Sequence, residues 1–128
     1  MASQRDVRRI AMKLPGAVGA EDRFGYGVLK NGKLKHFVWE WNERVDPKKA
    51  RVPNPRVLVV RVRDEEAKQA LLAEDPGKFF TEPHYDGFPA VLVRLEKIRV
   101  AELSKLIEAA WRCQAPAPSA KKSSRTPA

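Results

Sequence analysis

A chain of 128 residues with 25 lysines and arginines against 16 aspartates and glutamates carries a net charge of +9. With 43% hydrophobic and 32% charged residues it has the composition of one folded domain, which excludes a disordered polymer for the body of the chain. No apolar run approaches the ~20 residues that span a bilayer, residues 1–6 show no secretory signal, and the single cysteine, Cys113, excludes an internal disulfide, so a reducing, cytoplasmic setting is expected.

Ser3 followed by Asp6 reads as a capping box with Asp in place of Glu. Val7, Ile10, Ala11 and Leu14 then recur at helical spacing. Pro15 and Gly16 should end that helix at Leu14. A short strand is expected within residues 18–23. Residues 24–30 and 33–41 read as two strands joined by Asn31-Gly32, because both turn residues tolerate the positive φ of a type I′ hairpin. Gly25 and Gly27 inside the first strand predict a bulge or a close backbone approach. They form no phosphate loop, since the third glycine and the strand-to-helix context are missing.

Strict alternation in the second strand puts Phe37, Trp39 and Trp41 on one face and His36, Val38 and Glu40 on the other. Three aromatics on one face suit base stacking; covering the core beneath a helix is the preferred expectation. Lys30, Lys33 and Lys35 make the hairpin tip a basic wing. Residues 42–56 read as a Pro-rich loop without regular structure, because Asp46-Pro47 and Pro53-Asn54-Pro55 argue against it. That loop carries Arg44, Lys48, Lys49, Arg51 and Arg56.

Residues 57–63 form a strand with Leu58, Val60 and Val62 on one face and Val59, Arg61 and Arg63 on the other. Asp64 caps a short helix with Glu65 and Glu66 in its first turn. Ala67, Ala70 and Leu71 are its apolar stripe, and it ends before Asp75-Pro76-Gly77. Phe79-Phe80 is a short strand or packed turn. Residues 81–89 then form a bend with Asp86-Gly87 turn chemistry, followed by a buried strand at 90–95. Glu82, His84, Tyr85 and Asp86 invite a catalytic, metal or small-ligand reading. No ligand spacing links them to His36 or Cys113, no nucleophile accompanies them, and a structural bend is the expectation. Val100, Leu103, Leu106, Ile107, Ala110 and Trp111 mark an amphipathic last helix. The domain should span residues 1–114, with a disordered basic Ala/Pro/Ser/Lys tail at 115–128.

The positive charge is one-sided. Residues 1–63 hold 15 basic and 6 acidic side chains, whereas residues 64–128 hold 10 of each. Such asymmetry favours a polyanionic partner.

The order helix, antiparallel strands, short helix, strands, helix resembles the MmcQ/YjbR family of small bacterial proteins. The pieces that match are Leu14-Pro15-Gly16-Ala17, Phe24-Gly25, Gly32-Lys33, Pro76 through Phe79-Phe80, Tyr85 before Val91-Leu92-Val93, and Ala101-Glu102-Leu103 to Trp111. Together they cover roughly residues 5–113. The resemblance implies an α+β, two-layer sandwich with one antiparallel sheet, like that of secretion chaperones, and DNA binding through a pair of winged loops. The long Pro-rich segment departs from the family pattern. The expectation is a non-enzymatic protein that contacts duplex DNA phosphates with little sequence preference. The contacts would come from Lys30, Lys33, Lys35, Arg44, Lys48, Lys49, Arg51, Arg56, Arg61 and Arg63. No cofactor, metal or membrane enters, and a monomer or weak dimer is expected. A protein-interaction module that holds an acidic protein is the alternative. A small-ligand site at the His84-Tyr85-Asp86 bend is the third reading, and a concave pocket lined by those residues would favour it.

Overall fold

Ser3 and Asp6 start the first helix as their spacing predicts. The Asp6 carboxylate accepts the Ser3 backbone N–H at 3.0 Å and the Ser3 hydroxyl at 3.3 Å. The structure is a computed structural model that describes residues 2–21, 23–44, 46 and 48–115. Beyond Ala115, the expected tail lies outside the described residues. Helix α1 spans Gln4–Ala11, α2 Glu65–Glu74 and α3 Val100–Gln114. The strands are β1 (Ala17–Gly19), β2 (Gly25–Lys30), β3 (Lys33–Glu43), β4 (Val52–Arg61), β5 (Phe79–Phe80) and β6 (Ala90–Arg94). They form one six-stranded sheet in the order β1-β2-β3-β4-β6-β5, every pair antiparallel. The protein is therefore α+β. Helix α1 stops one turn before the expected Leu14, and the chain reverses through Gly16 at φ 74°.

Val7 and Ile10 of α1 and Leu103, Ile107 and Ala110 of α3 bury against Val38, Leu58, Val60, Val91 and Val93 on one face of the sheet. The other face has a second, smaller core. There Val57, Val59, Ala90 and Leu92 lie beneath Trp39, Trp41, Phe80 and Tyr85. Rings in place of a helix layer exclude water from that face. Helix α2 is capped by the Asp64 side chain, which accepts the Ala67 N–H at 2.9 Å. Its inward residues are Ala67, Leu71 and Leu72, whereas the expected Ala70 is exposed. Lys68 shares the inward face and is 1% exposed.

Two expectations about β3 are corrected. The three aromatics do not share a face. Tyr26 pairs with Val38 and Gly27 with His36, so Phe37 is the extra residue of a β-bulge. Phe37 joins the helix-side core, and only Trp39 and Trp41 lie on the opposite face. Gly27 makes the bulge possible: a Cβ there would stand 2.4 Å from the Lys35 carbonyl oxygen. Nor is the segment at 42–56 an irregular loop. β3 continues to Glu43 and β4 begins at Val52, with Trp41 opposite Asn54, Asn42 opposite Pro53 and Glu43 opposite Val52. The prolines are tolerated because this arm lies beyond the β4 residues that pair with β6, so one side of β4 needs no donor. Between the two registers Pro55, Arg56 and Val57 of β4 have no β3 partner, and the Asn54 side chain accepts the Arg56 N–H at 2.9 Å.

Candidate nucleic-acid interface

The sequence-derived cations fall into separate groups. Lys30, Lys33 and Lys35 are exposed at the β2–β3 hairpin, whose turn residues Asn31 and Gly32 have φ 54° and 79°. Arg44, Lys48 and Lys49 are exposed at the tip of the β3–β4 arm. Arg44 donates to the Lys49 carbonyl at 3.2 Å, and Asp46 accepts the Lys48 N–H at 2.9 Å. The tips sit at opposite ends of β3. At ~3.3 Å per residue they are about 33 Å apart, so they do not merge into one patch.

Of the remaining cations, Arg51, Arg61 and Arg63 have specific partners. Arg51 donates to the Asn42 carbonyl at 2.8 Å and reaches Glu82 at 3.5 Å. Glu82 also accepts the Trp41 indole N–H, so Arg51 closes the arm onto the bend. Arg56 is exposed in the stretch of β4 that has no β3 partner. Arg61 lies over the Phe88 ring at 5.5 Å. Arg63 lies past the end of β4, paired at 3.1 Å with Asp64. The Ala67 N–H, then Arg63, hold the Asp64 carboxyl below its ordinary value. Arg61 and Arg63 therefore do not form the paired anion face that alternation predicts.

A feature the sequence did not single out lies beside the first tip. β3 and β4 stop pairing after Val38 and Val60, and beyond that pair β3 continues with β2 alone. Gln114 at the end of α3 bridges the opening and donates to the His36 carbonyl at 3.0 Å. The resulting cavity of about 430 Å³ is lined by Arg23, Lys35 and Arg61, by His36 and His84, and by Trp39, Tyr85 and Phe88. No carboxylate lines it among the described residues. Lys68 builds the wall: its ammonium donates to the Tyr85 carbonyl at 2.6 Å and to the Phe88 carbonyl at 3.1 Å. The one sequence signal for it is a lysine at the i−3 position to Leu71 on the inward stripe. Asp86 does not line the cavity, so the bend contributes His84 and Tyr85 only. Among the described residues no cluster of His, Cys, Asp and Glu is placed to hold a metal. No helix there is long and apolar enough to cross a membrane.

No family model matches the chain. It is 55% identical over 64 residues to two uncharacterized mycobacterial proteins, Rv2570 of Mycobacterium tuberculosis and Mb2600 of Mycobacterium bovis. The match covers 50% of this chain and 50% of each relative, so the chain spans about half the length of the curated relatives it matches. The fold is similar to that of the Deinococcus radiodurans protein DR2400, whose structure is described by the domain name DUF419. The TM-score is 0.66 at 18% identity, over 87% of this chain and 77% of that one. The likeness shows a shared α+β fold.

Proposed function

We propose that this chain is a small cytoplasmic nucleic-acid-binding protein of MmcQ/YjbR type that contacts duplex phosphates without catalysis. One observation carries the reading. Two basic hairpin tips stand at the two ends of β3, a span of about 33 Å at the rise of an extended strand, close to the ~34 Å rise of one duplex turn. A duplex lying along β3 would meet Lys30, Lys33 and Lys35 at one end and Arg44, Lys48 and Lys49 at the other. Phosphate contacts position a protein without reading bases, and the contacts proposed here are all to phosphates, so sequence preference should be small.

The test is binding of the full chain to a labelled random-sequence duplex across a salt series. If about five phosphates are neutralised, log K against log salt should fall with a slope of about −4 to −5. A flat response overturns the reading. Charge-removing variants used beside it should leave Arg51 intact, because Arg51 pairs with Glu82 as well as carrying charge.

The protein-interaction alternative has its own observation. A largely apolar groove of about 400 Å³ lies between α2 and α3, lined by Val62, Ala67, Leu71 and Leu106 together with Arg61 and Arg63. A stable complex or dimer in solution, with no salt-dependent duplex binding, would favour it.

A further inference from the structure

The cavity beside the first tip contributes only Lys35 to the phosphate contacts proposed above, yet its chemistry is specific. Its rings are fixed against one another. The Trp39 indole N–H donates to the Tyr85 hydroxyl at 3.1 Å. Phe88 meets Trp39 edge to face at 6.4 Å and Tyr85 at 6.1 Å. Phe88 is nevertheless 40% exposed, a large apolar ring left open to solvent. Lys68 pins the backbone on both sides of that ring's turn. Cations stand beside the rings: Lys35 and Arg61 line the same cavity as Phe88. The Arg61 Nε is buried and has no hydrogen-bond partner among the described residues, so an acceptor bound there would satisfy it.

Each simpler ligand would leave part of this site unused. A bare phosphate would use the cations but not the rings. A neutral aromatic would use the rings but leave the cations uncompensated. An acidic peptide without aromatic side chains would bring charge and no flat ring. A nucleotide brings both at once, a planar base and an anionic phosphate. The volume lies within the range of small-molecule sites.

We infer that this cavity binds one nucleotide, its base stacked on Phe88 and its phosphate held by Lys35 and Arg61. The inference rests on the nucleic-acid reading for the ligand's source, because a base stacked within a duplex cannot enter a side cavity and must be unpaired. The same chemistry also fits a free mononucleotide, and the two sources are separable.

The full chain would be titrated calorimetrically with adenosine monophosphate, ribose 5-phosphate and inorganic phosphate. In parallel, a single-stranded oligonucleotide and a duplex would be titrated by fluorescence anisotropy. Variants are Phe88→Ala, Phe88→Trp and the double change Lys48→Ala with Lys49→Ala. The nucleotide should bind at least about ten-fold tighter than ribose 5-phosphate, given the usual strength of base stacking. Phe88→Ala should remove that difference and weaken single-strand binding about ten-fold, with Phe88→Trp restoring both. The salt slope should not change, since stacking displaces no counterion. Equal affinity for the nucleotide and ribose 5-phosphate overturns the inference, as does a Phe88→Ala protein that binds both normally. If that arm fails while duplex binding keeps its steep salt slope, the cavity assignment falls and the nucleic-acid reading stands. If the mononucleotide binds while neither strand nor duplex shows salt-dependent binding, the cavity stands as a free-nucleotide site and the nucleic-acid reading falls.

Discussion

The ammonium of Lys68 lies 2.6 Å from the carbonyl oxygen of Tyr85, and this contact ties α2 to the bend that walls the cavity. A buried lysine held by two backbone carbonyls acts as a bracket: its position depends on α2, and the positions of Tyr85 and Phe88 depend on it. Lys68→Met keeps much of the side chain's length and strands both carbonyls. It should destabilise the fold by about 2–3 kcal/mol in denaturant unfolding, with faster amide exchange through residues 84–88. Unchanged stability and exchange would show that the bend holds itself.

Gly27→Ala should be among the most damaging single changes. The added Cβ would lie 2.4 Å from the Lys35 carbonyl oxygen and 2.9 Å from the His36 Cα. Both are backbone atoms, so relief requires moving a strand. A loss of about 3 kcal/mol or more is expected, read by thermal unfolding. Gly25→Ala should be milder, because its Cβ would meet the Trp39 Cβ and the Val38 carbonyl oxygen at 3.2 Å.

The two hairpin tips should act independently. At about 33 Å their separation is several Debye lengths in physiological salt. Changing Lys30 and Lys33 to Ala should reduce the duplex salt slope by about 1.8, and changing Lys48 and Lys49 should do the same. The four changes together should sum to about 3.6. If one pair accounts for the whole slope, only one tip meets the duplex.

Two carboxylates and one lysine set opposite pH edges of stability. Asp6 is lowered chiefly by the Arg9 side chain, and Asp64 by the Ala67 N–H and then Arg63. The stabilisation they contribute is complete above the ordinary value of 3.8 and is lost as the pH falls through the lower folded values. Lys78 is raised, chiefly by its 2.7 Å contact with Glu102. Its contribution is complete below 10.5 and is lost as the pH climbs through the higher folded value. Urea unfolding measured across acid pH should show a shallower decline for Asp64→Asn, which keeps an oxygen for the Ala67 N–H without the titration.

Removing the Trp41 indole donor tests the far end of β3. Trp41→Phe leaves Glu82 with Arg51 as its remaining partner of the pair. About 1 kcal/mol should be lost, with the increase in amide exchange confined to residues 41–54.

Much of this architecture was legible in the chain because its determinants are local. The Ser3 and Asp6 cap, the Asn31-Gly32 turn, the Asp64 cap and the 3.6-residue period of α3 each need only a few adjacent residues. The six-stranded sheet with helices over it follows from those elements and their order. Tertiary contacts decided the rest. The bulge at Phe37 depends on how closely Gly27 approaches the neighbouring strand, and it reverses the face that strict alternation assigns. Pro53 and Pro55 read as loop residues until the absence of β6 alongside them is known. The cavity joins Trp39 to Tyr85, 46 residues away, and Gln114 to His36, 78 residues away. No local pattern encodes such pairings, since they are set by strand order and by where β3 and β4 separate. Charge could be counted in the sequence, but whether a cation stands at a tip, pairs with Glu82 or covers Phe88 was decided by the packing around it.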